Sequence, residues 1–217
     1  MELIHTEHLP PYTLSWPEGV FPLGEDALAL GEFATVKRGW KVCDLGTGSG
    51  ALLLLLARRA EGLELYGVER DELSCRTARE NLRENGLKSE VLLEDLRKNS
   101  LPAGAFDLVV SNPPYFAVER GKSGGSFRSE EFCTLQELCQ TAARLVRNGG
   151  RFALCHRPER LGELLCALTA VGLEPKRLQL CAHSPQHAPC LVLVESVRQG
   201  RPGLEILPGK WKIYDKG

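Results

Sequence analysis

An excess of charge of either sign is missing from this chain of 217 residues: 27 lysines and arginines stand against 28 aspartates and glutamates. Bulk electrostatics therefore does not announce a nucleic-acid partner, and one that binds must meet a local basic patch. Long apolar runs are missing too. The longest, Ala51 to Ala57, falls far short of the roughly 20 residues that span a bilayer. The opening Met-Glu-Leu-Ile-His lacks the basic and apolar regions of a signal peptide. The eight cysteines form no C-x-x-C pair, and His5, His8, His183 and His187 keep no zinc-ligand spacing with them. These absences predict a cytoplasmic protein with reduced thiols, no metal and no membrane segment; they leave the oligomeric state open.

What is present has the balance of a globular protein, 43% hydrophobic and 25% charged. The length suits one domain over residues 1–217, with 1–39 expected as an accessory lid on a core of 40–217. From Trp40 onward, strand-like and helix-like stretches alternate. Strands are predicted at Lys41–Leu45, Leu63–Val68, Val91–Leu93, Phe106–Ser111 and Phe152–Cys155. Helices are predicted at about Gly50–Ala60, at Asp71–Asn85, from Thr134 to the stop signal Asn148-Gly149, and from Pro158 to Gly172. Thr-Leu-Gln-Glu at 134–137 has the capping-box pattern. Two further strand-like runs, Arg177–Cys181 and Leu191–Glu195, close the chain without a helix between them. Such alternation predicts an α/β fold, a mostly parallel sheet covered on both faces, with an antiparallel strand at one edge.

Between the first strand and first helix of that core lies Asp44-Leu45-Gly46-Thr47-Gly48-Ser49-Gly50. Glycines let backbone turn sharply and let a ligand lie against it without meeting a Cβ. Glu69 ends the next strand, where a carboxylate can grip ribose hydroxyls, and Asp95 follows the third, where one can accept a bond from an adenine amino group. The same loop also satisfies the dinucleotide fingerprint, so a dinucleotide-binding Rossmann module is an alternative. Asp44 argues against it, because a carboxylate there repels pyrophosphate and welcomes a cation such as the methionine end of S-adenosylmethionine.

After the fourth strand come Asn112-Pro113-Pro114-Tyr115. An amine conjugated to a ring or carbonyl has a delocalised lone pair and is a poor nucleophile. If the Asn112 side-chain oxygen and the Pro113 carbonyl each accept one N–H, the nitrogen is drawn toward tetrahedral geometry. Prolines stiffen the turn, so both acceptors are preorganised where positive charge develops. Tyr115 offers a face for a planar target to stack on.

With these motifs the sequence resembles the class I methyltransferases that modify exocyclic amines, and among them the bacterial valine-tRNA adenine-N6 methyltransferases. The likeness includes Phe21–Leu30, Asp44–Gly50, Asn112–Phe116, Cys133–Glu137, His156–Leu161 and Glu174–Arg177. It implies a Rossmann-like fold with a seven-stranded sheet whose last strand is antiparallel. It also implies S-adenosylmethionine as cofactor, S-adenosylhomocysteine as product and tRNA as substrate. Asp44, Gly46, Thr47, Gly48, Gly50, Glu69, Asp95 and Asn112 would hold the cofactor, and Asn112, Pro113, Pro114 and Tyr115 would form the catalytic turn. Arg120, Lys122, Arg128, Arg157 and Arg160, with Lys176, Arg177, Lys210 and Lys212, are candidate phosphate contacts. The alternatives within the same chemistry are N2 of guanine in rRNA and a protein glutamine amide.

Overall fold

The computed structural model describes residues 4–113 and 133–211. Its centre is a nine-stranded sheet. Seven strands carry it: β3 (Lys41–Leu45), β4 (Glu64–Glu69), β5 (Ser89–Leu93), β6 (Phe106–Ser111), β7 (Val146–His156), β8 (Leu173–Ala182) and β9 (Leu191–Arg198). The two-residue strands β10 (Glu205–Ile206) and β11 (Lys210–Trp211) both extend the outer edge of β8. The order is β10-β8-β9-β7-β6-β3-β4-β5. Only β9 runs against its neighbours β7 and β8. The antiparallel strand thus does not lie at the edge as expected: β8, and beyond it the short β10 and β11, lie outside it.

Alternate residues of each strand face opposite layers. Val42, Leu65, Leu108, Val110 and Ala153 pack under α1 (Glu25–Phe33), α2 (Ala51–Ala57) and α3 (Glu72–Glu84). Cys43, Leu45, Val68, Val109 and Phe152 pack under α4 (Leu135–Leu145) and α5 (Leu161–Ala170). All seven residues of α2 are buried, which is why it reads as a continuous apolar run.

The capping box expected at Thr134–Glu137 forms, and Asp71 caps α3 by accepting from Ser74 N–H. One stop signal was misleading. The helix predicted to reach Asn148-Gly149 ends at Leu145, and β7 begins at once. Gly149, at φ +73°, serves an irregularity within β7 instead, where pairing passes from Phe106↔Val146 to Leu108↔Arg151. No helix of the described residues is long and apolar enough to cross a membrane.

The first residues form elements the sequence pattern did not show. β1 (Ile4–Leu9) and β2 (Tyr12–Pro17) make an antiparallel hairpin. Two asparagines one turn apart on α3 hold it through their side-chain amides. Asn85 accepts from Thr13 N–H at 2.9 Å and donates to Thr13 O at 2.7 Å. Asn81 treats Ser15 in the same way, at 2.9 and 2.8 Å. The second amide hydrogen of Asn81 reaches Ser49 O at 2.9 Å, within the glycine loop.

The end of α1 is tied to the sheet through Glu195, which is fully buried. Its carboxylate accepts from Thr35 N–H at 2.6 Å, the Thr35 hydroxyl at 2.9 Å, Arg151 at 2.6 Å and Arg177 at 3.3 Å. Burying this charge is tolerable only because it is so fully partnered. Glu195→Gln leaves two guanidiniums without their counter-charge. It is expected to lower unfolding free energy by about 2 kcal/mol, read as an earlier urea midpoint at unchanged slope.

Candidate active site

The sheet order turns back between β3 and β6, so the loops after these two strands open a crevice at their carboxyl ends. The glycine loop leaves β3 there, and the Asn112 turn leaves β6. The Ser111 hydroxyl joins them directly by donating to Leu45 O at 2.7 Å.

The glycine loop has its own internal bonding. Gly46 and Thr47 N–H both donate to Val68 O, at 2.9 and 3.2 Å, and Gly50 N–H donates to Thr47 O at 2.9 Å. Gly48 N–H donates to the Glu69 carboxylate at 2.9 Å. These are the groups a pyrophosphate-binding loop would offer to its ligand, and here they are engaged within the protein. Gly46 and Gly48 both have positive φ, +77° and +57°, and an added Cβ at either would meet nothing within 4 Å. The backbone therefore presents an open, bare surface. Underneath, the loop sits tightly on β4: a Cβ at Gly67 would come within 2.8 Å of the Thr47 methyl. Nothing in the sequence pattern had singled out Gly67.

Asp44 is 2% exposed, and its Oδ1 accepts no hydrogen bond from the described residues; nor does the buried Thr47 Oγ1 find a partner among them. Burial pushes the Asp44 carboxyl up to about 7, with the nearby Thr47 hydroxyl offsetting part of the rise and Glu69 adding to it. A buried acid with an unpartnered oxygen under a bare glycine surface fits a cationic group, and it disfavours an anionic one.

Glu69 is aimed before any ligand arrives. Besides Gly48, it accepts from the Arg70 and Asp71 N–H groups at 2.8 and 2.9 Å. Asp95 caps the short turn Leu96–Lys98, and its carboxylate is paired with Arg97, the closest contact being 2.5 Å. That guanidinium draws the Asp95 pKa down to about 2, so it is ionised at any physiological pH. Arg97 also lies 3.7 Å from Glu137 of the α4 capping box.

Asn112 and Pro113 line a mostly apolar slot with Leu45, Gly46, Leu135 and His156. The slot therefore runs from the glycine loop to the proposed acceptor. The Cys155 thiol donates to Asn112 Oδ1 at 3.0 Å, a contact between residues 43 positions apart that nothing in the sequence signalled. His156 accepts from Arg157 N–H through Nδ1 at 2.8 Å, and burial holds its pKa down, so the ring is neutral with its proton on Nε2. His156 thus orders backbone at the strand end.

Pro114, Tyr115, Arg120, Lys122, Arg128 and Lys212 lie outside the described residues. Other expected phosphate contacts are engaged within the fold. Arg177 bonds Glu195 and Phe33 O and lies over the Phe33 ring, which makes it part of the packing and not an RNA contact. Lys176 donates to Arg201 O, Lys210 pairs with Glu32, and Arg160 pairs with Glu163. Arg157 is half-buried just beyond β7. Among the described residues no group of three histidine, cysteine or acidic side chains is placed to hold a metal ion.

Residues 26–163 match the family model of the methyltransferase small domain. The tRNA1(Val) (adenine(37)-N6)-methyltransferase of Serratia proteamaculans is 35% identical over 148 residues, covering 65% of this chain and 56% of that protein. The protein of the same name from Porphyromonas gingivalis is 29% identical over 188 residues, covering 80% of this chain and 73% of its own. Against the Serratia relative the chain thus spans little more than half of the relative's length. Among solved structures, a 16S rRNA N2 methyltransferase of T. thermophilus in complex with AdoMet and guanosine superposes with a TM-score of 0.64 at 27% identity, over 90% of this chain and 50% of that one. A predicted O-methyltransferase from Agrobacterium tumefaciens reaches a TM-score of 0.71 at 23% identity, over 86% of each chain, a likeness of fold.

Proposed function

Since the chain belongs to the methyltransferase small domain family, we propose that it uses S-adenosylmethionine to methylate a flat exocyclic amine, N6 of an adenine in tRNA. When bound, the cofactor supplies an electrophilic methyl group on a sulfonium, with S-adenosylhomocysteine left as product. Asp44 would hold the cationic methionine end over Gly46 and Gly48, with Thr47 and Gly50 shaping the same turn. Glu69 would take the ribose hydroxyls, and Asp95, kept ionised by Arg97, the adenine amino group.

The reacting amine would enter the slot at Asn112. There the side-chain oxygen and the Pro113 carbonyl would accept its two N–H groups, and Pro114 and Tyr115, next in the sequence, are proposed to share in catalysis. Two fixed acceptors stabilise the charge that grows on nitrogen, and holding both reactants in one crevice supplies much of the remaining acceleration. No strong general base is required at the transition state, because the methylated nitrogen, then cationic and strongly acidic, gives up one proton to solvent. The observation that carries this reading is the junction of the two loops: a buried acid beneath bare glycines, one hydrogen bond away from the Asn112 turn.

The tRNA substrate rests on the relatives' names and on the cheapness of splaying out a base from a single-stranded loop. Arg120, Lys122 and Arg128, with Arg157, would meet its phosphates, and a cytoplasmic setting fits such a substrate. The segment 1–39 would act as an accessory to a core of 40–217 within one domain. A second reading, N2 of guanine in rRNA, is favoured by the likeness to the guanosine-bound structure.

The test is incubation with radiolabelled S-adenosylmethionine and total bacterial tRNA, followed by nucleoside analysis by mass spectrometry. Labelled N6-methyladenosine, absent with Asn112→Ala, is the expected result. Transfer to rRNA as N2-methylguanosine, with none to tRNA, would replace the first reading by the second.

A further inference from the structure

We propose that Cys155 is a positioning residue for the reaction: its thiol fixes the Asn112 side-chain amide with the oxygen turned to the incoming amine. This rests on the reading of Asn112 as the amine acceptor. An asparagine amide has two nearly isosteric ends, and only one of them accepts hydrogen bonds. If it rotates by half a turn, it presents N–H to a substrate amine that also carries N–H, and the productive contact becomes a repulsion. The turn therefore needs something that distinguishes oxygen from nitrogen.

Cys155 is placed to do this. Strand pairing sets Ser111 opposite Leu154, so the residues that follow, Asn112 just past β6 and Cys155 on β7, come together at the mouth of the crevice. The thiol lies 3.0 Å from Oδ1 and is fully buried. A protonated thiol donates to an amide oxygen but is only a weak acceptor for an amide N–H, so its contact favours one rotamer over the other. A carbonyl oxygen carries two lone pairs, so a thiol bond to Oδ1 is compatible with accepting from a substrate amine as well. The requirement is local and chemical, and it predicts which substitutions preserve function. Serine keeps the donor. Valine keeps the volume and removes it. Alanine removes it without overpacking.

The experiment compares Cys155→Val, Cys155→Ala and Cys155→Ser with the unchanged protein and with Asn112→Ala. Cofactor binding by calorimetry serves as the control for folding. Loss of one ordinary hydrogen bond from the reacting geometry should lower kcat about five- to tenfold in the valine and alanine variants, at unchanged cofactor affinity. Serine should restore kcat to within about twofold. Independently of activity, the side-chain NH₂ pair of Asn112, assigned by NMR, should be one sharp set in the native and serine proteins. It should be doubled or exchange-broadened in the valine variant.

Normal kcat and a single NH₂ set in the valine and alanine variants would overturn the proposal, as would a serine variant no better than valine. In either case an inactive Asn112→Ala leaves the site reading intact. Full turnover by Asn112→Ala would remove that reading, and the role of Cys155 with it.

Discussion

Replacing Asn112 by alanine is expected to reduce turnover by about 10²–10³-fold while weakening cofactor binding far less, even though the resemblance also places Asn112 beside the cofactor. The asymmetry follows from where the residue stands. It stands in the turn that leaves β6, whereas the bare backbone and buried acid belong to the loop that leaves β3, tied to that turn through the Ser111–Leu45 bond. A residue that stabilises only the charge developing on the amine affects the transition state and not the ground-state complex. Single-turnover kinetics combined with calorimetric titration of S-adenosylmethionine would measure the two quantities separately. Equal losses in both would mean that Asn112 acts mainly by holding the cofactor.

The Asp44→Asn variant is expected to do the opposite, and in two ways at once. Removing one partner of a buried charge pair costs about 2–5 kcal/mol, so cofactor affinity should fall at least about thirtyfold. The cofactor-free variant should nevertheless be more stable than the parent above pH 7. The sign follows from the shift itself. With its carboxyl raised from 3.8 to about 7, Asp44 favours the folded state fully below about pH 4 and progressively less as pH rises through 7. Across that window the loss is about 1.4 kcal/mol per unit, roughly 4 kcal/mol in all. Thermal melts of both proteins from pH 5 to 8.5 would show the parent losing stability relative to the variant, with the difference levelling off above about pH 7. Cofactor affinity of the parent should rise over the same interval, because the cation binds the ionised form. Parallel melting curves at every pH would show that the carboxyl is not titrating there.

Much of this molecule could be read from its residues, for identifiable reasons. The strands β3 and β6 are short, mostly apolar runs bounded by breakers, and both were placed correctly by pattern alone. The capping box at Thr134 and the caps of α3 are local devices whose residues do one job. Asp44, Glu69 and Asn112 were legible because strand ends in an open parallel sheet converge on one edge. What escaped notice depended on partners distant in sequence. Gly149 carries the same signal whether it ends a helix or bends a strand, and the pairing of Val146 with Phe106 decided between them. The hairpin over Ile4–Pro17 is secured by asparagines some 66 to 72 positions away, and two amides on α3 have no signature in the hairpin itself. Cys155 looked like filler because a thiol's role shows only when its acceptor is known.

The reach of Asn81 has a consequence for how the chain can be cut. A boundary at residue 39 looks natural on paper, since every proposed contact for the cofactor and the amine lies beyond it. Yet the amide that hangs the hairpin at Ser15 also steadies Ser49 in the loop that would cradle the cofactor. Trimming the first segment would strand that amide's other end in a site built for a partner, and the loop would feel the loss. The seam drawn by sequence is, in the fold, a stitch.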